Sequence, residues 1–188
     1  HSFPTRRSSD LLKARLQSNG LKLVLHNLPA GDWDAGDRGI ACDPDRVEEF
    51  RAGVARALTY ADVLGVEQLN CLVGKVPANR SSHEVRSTLV SNLRFAADRL
   101  RKAGKRLLVE PINTFDIPGF FVSRTQQALQ LMDEVASDNL YLQYDVSHAQ
   151  RMEGELSATL QKHLPRIAHV QIADNPGRHE PGTGEIHY

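Results

Sequence analysis

The 188-residue sequence predicts an α/β fold built on a parallel sheet with helices packed outside it. Three observations carry that prediction. From Leu12 onward, apolar runs of strand length alternate with stretches of helical periodicity. Strand centres fall near residues 24, 70, 108, 142 and 170, about 36 residues apart, close to the ~31 of a (β/α)8 barrel of ~250 residues. No G-x-G-x-x-G or Walker A motif appears, and a doubly wound open sheet, the other fold with this alternation, usually advertises a glycine-rich phosphate turn.

The elements follow in order. His1 to Leu11 (His-Ser-Phe-Pro-Thr-Arg-Arg-Ser-Ser-Asp-Leu) resembles a translated sequencing adapter over its whole length and is set aside as a non-native segment, leaving 12–188 as the domain. This reading, with the lack of an initiating Met, implies that native sequence is missing before Leu12. A helix remnant precedes the first strand, Leu21 to Asn27, which runs into a Gly- and Asp-rich loop. Pro44 after Asp43 suits a helix start, Val47, Phe50, Val54, Leu58 and Ala61 recur at helical spacing, and Gly65 is the stop. Gln68 to Val73 is the second strand. Ser81 and Glu84 form a capping-box pattern ahead of a helix whose stripe is Leu89, Leu93, Ala96, Ala97 and Leu100, ended by Gly104. Arg106 to Glu110 is the third strand. Ser123 and Gln126 are expected to open the next helix in the same manner, with Ala128, Leu131, Met132 and Val135 on its buried face. Leu140 to Asp145 is the fourth strand, Leu156, Leu160 and Leu164 carry a short helix stopped at Pro165, and Ile167 to Ile172 is the fifth strand. Asp174 to Tyr188 reads as a polar Gly/Pro loop.

Composition excludes several classes. Lys plus Arg and Asp plus Glu both number 23, so the formal charge is zero, which argues against a nucleic-acid binder and a polybasic membrane-surface protein. With 40% hydrophobic residues the chain is not a solvated disordered one. No apolar run approaches the ~20 residues that span a bilayer, and no signal peptide is visible. Cys42 and Cys71 are too few for a disulfide scaffold, and a reducing cytoplasm fits them.

The chemistry-bearing residues sit at strand ends. Glu110, Asp145 and Gln171 close three parallel strands, so all three face the rim where barrel enzymes carry their sites. A buried carboxylate is costly without a partner. Two carboxylates and an amide suit a hard cation, and oxygen donors favour Mg²⁺ or Mn²⁺ over Zn²⁺. The alternative is that Glu110 and Asp145 cap helices or bind loop amides. His148, three residues beyond Asp145, is expected on the loop leaving that strand and reads equally as a surface histidine. Asp116 alone reads as a turn residue. Arg178 in the last loop is either solvated or a fork for a substrate carboxylate.

Longer stretches carry a resemblance: Leu25 to Trp33, Gly39 to Cys42, Asn70 to Lys75, Glu110 to Asn113, Phe115 to Phe120, Gln143 to Asp145, Gln150 to Leu156, Gln171 to Pro176 and Glu180 to Ile186. Through these the chain resembles the hydroxypyruvate isomerase branch of the xylose-isomerase-like TIM barrels. The resemblance implies a partial TIM (β/α)8 barrel, about five of eight strands present, truncated at both ends. It implies interconversion of hydroxypyruvate and 2-hydroxy-3-oxopropanoate (tartronate semialdehyde) by metal-assisted proton transfer, as part of glyoxylate metabolism. It places metal ligands at Glu110, Asp145 and Gln171, a catalytic role on Glu110, and substrate contacts at His148, Arg178 and Asp116. The family's fourth metal ligand, a Glu that is also the second acid/base, is expected to lie beyond this chain, which alone is then inactive. A divalent metal and no organic cofactor are expected, with a small 2-oxo acid as substrate and a homo-oligomer for the full-length enzyme. Alternatives are a 2-oxo-tetronate isomerase, a ketose 3-epimerase, an abasic-site endonuclease on the same barrel, or a non-catalytic remnant.

Overall fold

A computed structural model of the protein describes residues 6–188, and the first five residues of the adapter-like segment lie outside them. The elements are α1 (Arg6–Ser18), β1 (His26–Asn27), α2 (Val47–Leu64), β2 (Gln68–Cys71), α3 (Ser82–Lys102), β3 (Arg106–Val109), α4 (Thr125–Val135), β4 (Leu140–Asp145), α5 (Val146–Met152), α6 (Leu156–His163) and β5 (Ile167–Gln171). Helix α1 runs across the boundary expected after Leu11. The five strands form one sheet in the order β1-β2-β3-β4-β5, and every pairing is parallel. A doubly wound sheet reverses its strand order at a switch point. An unbroken sequential order is that of a barrel wall, so the chain forms a half-barrel.

Local chemistry explains most boundaries. The Asp43 side chain accepts from the Asp45 amide at 3.0 Å, Pro44 opens a 3-10 turn, α2 follows, and Gly65 ends it at φ 70°. The capping box on α3 is complete: Ser81 Oγ accepts from the Glu84 amide, and the Glu84 carboxylate accepts from the Ser81 amide. Helix α4 departs from expectation. Gln127, not Gln126, accepts from the Ser123 and Arg124 amides, and Glu153 accepts from the amide and hydroxyl of Thr125. That second cap arrives from 28 residues away, where local spacing does not look. Strand β1 keeps only two paired residues of the expected run, His26 and Asn27, opposite Leu69 and Asn70 of the four-residue β2.

The core lies between sheet and helices. Leu69, Cys71, Leu107, Val109 and Leu142 are buried against Val54, Ala57 and Ala61 of α2 and Leu89, Leu93, Ala96 and Leu100 of α3. Each such leucine contributes roughly 1.5–3 kcal/mol on burial. Two buried amides tie loops to this core. Asn92 donates to Ala41 O at 2.9 Å, and Asn139 donates to Ala97 O and Lys105 O. The loops after β1 and β2 cross at Gly39, which bridges Val73. Gly39 has φ 110°, and a Cβ there would sit 2.1 Å from Leu72 O. Cys42 and Cys71 are free and buried, and burial pushes the Cys42 thiol up to about 12 and raises that of Cys71 as well. Val170 within β5 and Ile172 just after it are exposed. Among the described residues no helix is long and apolar enough to cross a membrane.

Candidate active site

Glu110 directly follows β3, Asp145 ends β4 and Gln171 ends β5, with Asp145 and Gln171 opposite one another in register. Parallel strands carry all three to one rim, as the strand ends predict. Glu110 and Asp145 are buried, at 5% and 3% exposure. Glu110 Oε2 accepts from Asn70 Nδ2 at 2.9 Å, and the same nitrogen reaches Asn27 Oδ1 at 3.1 Å. The ends of β1, β2 and β3 are thereby linked.

The Gln171 amide oxygen faces inward, 3.0 Å from Glu110 Oε1 and 3.2 Å from Asp145 Oδ2. It accepts from Gln143 Nε2 at 2.8 Å. Three oxygens this close repel unless a proton or a cation lies among them. Turned over, the amide donates to both carboxylates instead. The oxygen-inward arrangement fits a divalent ion: two donors bound at ~2.1 Å and at right angles lie about 3.0 Å apart. A histidine completes a second possible donor set, because ligating atoms of Glu110, Asp145 and His148 lie within 4.8 Å of one another.

His148 corrects the sequence expectation. It lies in the first turn of α5, not on a loop, and is buried, not at the surface. Asp145 doubles as the N-cap of α5, its Oδ1 accepting from the His148 amide at 3.1 Å. The capping alternative for Asp145 is thus realised together with its place in the carboxylate cluster. Arg178 at φ 59° grips the same carboxylate with its fork, at 3.1 Å to Oδ1 and 2.6 Å to Oδ2. Asp116 does not reach Glu110 or Asp145 in any hydrogen bond or ion pair seen among the described residues. It pairs with Arg151 at 2.6 Å and accepts from Asn113 at 2.8 Å.

The electrostatics follow from burial. Desolvation and the nearby Asp145 charge push the Glu110 carboxyl up to about 7, against the pull of Gln143, Asn70 and Arg178. Burial lowers His148 below its ordinary value, opposed by Asp145 and helped by Arg178. Asp174, fully buried, goes the other way. Despite desolvation, the amides of Ile186, Asn175, Gly184 and Gly182 hold it at about 2, so it organises the last loop.

Sequence reasoning did not single out Asn70, Gln143, Asn113 or Asp174. A polar amide inside an apolar strand, as in Leu69-Asn70-Cys71 and Leu142-Gln143-Tyr144, was the available signal. Surface grooves also lie on the outer face of α3 and α4, one of them about 610 Å³ and lined by Arg94, Asp98 and Arg101. Those arginines are engaged with α4 carbonyls, Asp98 and Asp138.

The buried carboxylate pair stands at the carboxyl ends of sequential parallel strands. The family model described as xylose isomerase-like TIM barrel matches residues 1–188. This chain belongs to the xylose isomerase-like TIM barrel family. Within the family it is 58% identical to hydroxypyruvate isomerase of Escherichia coli (strain K12) over 186 residues, which is 99% of this chain and 72% of that protein. It is 41% identical to a 2-oxo-tetronate isomerase of Cupriavidus necator over the same fractions. A solved structure from Brucella melitensis, titled AP endonuclease, family 2, superposes with a TM-score of 0.93 at 39% identity, covering 99% of this chain and 72% of that one. The chain is a partial barrel of the family and a homologue of an isomerase.

Proposed function

We infer that this xylose isomerase-like protein interconverts hydroxypyruvate and 2-hydroxy-3-oxopropanoate, using Glu110, Asp145 and Gln171 to hold a divalent cation such as Mg²⁺ or Mn²⁺. The observation that carries this reading is the convergence of the buried Glu110 and Asp145 carboxylates with the Gln171 amide, 3.0 and 3.2 Å away, in a chain 58% identical to hydroxypyruvate isomerase. A bound cation supplies the positive charge that polarises the substrate carbonyl and stabilises an enediolate.

The chain's own residues do the rest. Glu110 accepts a proton from C3 and returns one to C2. The C3–H bond breaks, a C2–H bond forms, and the hydroxyl proton on O3 passes to O2. Atoms balance without an oxidant. Asn70 holds Glu110 Oε2 and so aims the carboxylate. Arg178 offers the substrate carboxylate the fork that grips Asp145 in this structure. His148 faces the same space, and Asp116 reaches it through Asn113. A small soluble acid as substrate and a cytoplasmic setting accord with a neutral chain.

The 41% identity to a 2-oxo-tetronate isomerase supports a second reading, a longer 2-oxo acid on the same site. An endonuclease is less well supported, because the one metal-type cluster among the described residues offers a single histidine. The test is turnover of hydroxypyruvate followed by proton NMR with and without Mg²⁺ or Mn²⁺, beside 2-oxo-tetronate and a free ketose. Metal-dependent conversion favouring hydroxypyruvate is expected. Preference for the four-carbon acid selects the second reading, and full activity in Glu110→Gln removes the role given to Glu110.

A further inference from the structure

We propose that Asp174 is a positioning residue for Arg178: its buried carboxylate, bound by amides of its own loop, fixes the turn that carries the Arg178 fork to the site. The inference rests on the isomerase reading for what Arg178 binds, and on geometry for how Arg178 is held.

The loop after β5 is built around this carboxylate. Asp174 is fully buried, and backbone N–H groups satisfy both of its oxygens. Oδ1 accepts from the amides of Asn175 at 2.8 Å and Ile186 at 3.0 Å, and Oδ2 accepts from Gly182 at 2.8 Å. One side chain thus joins backbone from the start and the end of the loop. The chain packs closely around it, because a Cβ on Gly184 would lie 2.5 Å from Asp174 Oδ1 and 2.3 Å from Asn175 O. Amides gathered from two sides need an acceptor on each oxygen, which a carboxylate supplies and a carboxamide does not.

Arg178 sits within the part of the loop that this hub closes. The Asp174 amide donates to His179 O at 2.9 Å, so residues 175–178 leave and return to one fixed base. There Gly177 and Arg178 take φ of 91° and 59°. The second value is uncommon for a residue with a side chain, and it persists where the surroundings dictate it. From that backbone an arginine on the exposed loop reaches a fully buried carboxylate, with Nη1 3.1 Å from Asp145 Oδ1 and Nη2 2.6 Å from Oδ2. An arginine side chain already loses rotamer freedom when it grips a ligand, and a loop that also had to order would add to that cost. Asp174 removes the second cost. It makes no hydrogen bond to Glu110 or Asp145 among the described residues, so it acts through Arg178.

The test starts from ¹⁵N spectra of the protein without substrate. The Gly182 and Ile186 amides should be protected from solvent exchange. The Arg178 Nε–H signal, assigned by its loss in Arg178→Lys, should stand apart from those of solvated arginines. Asp174→Asn puts a donor where one oxygen accepted. Protection should be lost and the Arg178 signal should move to the solvated set, while the amides of α2 and α3 keep their shifts. With hydroxypyruvate, KM should rise about tenfold to a hundredfold, with kcat moving far less. A variant that was merely part-unfolded would lower kcat at unchanged KM. In an Arg178→Lys background Asp174→Asn should add little, because both changes remove the same contact. Unprotected Gly182 and Ile186 amides in the unmodified protein overturn the proposal, whether or not the variant folds. So does an unmoved Arg178 signal in Asp174→Asn, or full additivity of the two KM effects. The spectra need no substrate, so a protein that shows them but turns over neither acid refutes the isomerase reading alone.

Discussion

Glu110 concentrates the chemistry of the site in one carboxyl group. Burial beside Asp145 raises it to about 7, above its ordinary value of 4.5. The native state therefore binds more protons than the unfolded chain between these values, and stability falls as pH rises through that window. The melting temperature of metal-free protein should drop from pH 5 to pH 8, and Glu110→Gln should flatten that drop while abolishing turnover. A bound divalent ion selects the ionised carboxylate and should restore the loss at pH 8. Arg178→Lys keeps the charge but loses the fork, and an expected rise in KM of about tenfold to a hundredfold follows from one charged hydrogen bond at 1.5–3 kcal/mol. Initial-rate kinetics check it, and an unchanged KM removes Arg178 as the carboxylate anchor. Glu110, Asp145 and Gln171 were legible because each ends an apolar run. Asn113 was not, since the histidine it meets lies 35 residues away.

Capping and close approach decide the elements. Ser81→Ala removes one side of an exposed capping box on α3 and should cost ~1 kcal/mol in urea unfolding. Gly39→Ala meets both a backbone oxygen at 2.1 Å and a φ of 110°, so a loss of ~2 kcal/mol or more is expected in the same measurement. Helices α2 and α3 were readable from stripe and cap together, because both signals are local. The seven-residue run Leu21 to Asn27 promised a longer strand. Its pairing is limited by the four residues of β2, and an edge strand has no second neighbour to hold the remainder. Helix α5 was hidden for a related reason: its cap is Asp145, a residue that already had a reading as a site carboxylate.

At the scale of the whole molecule, alternation alone predicts parallel strands, but only the observed order β1 to β5 distinguishes a barrel wall from a doubly wound sheet. The two buried thiols report on the molecule as a whole. Cys42 and Cys71 sit in the packed layer between sheet and helices, and burial keeps both in the protonated form that reacts poorly. A thiol reagent added to the folded protein thus waits on opening events, and its labelling rate becomes a clock for how often the wall of the barrel comes apart.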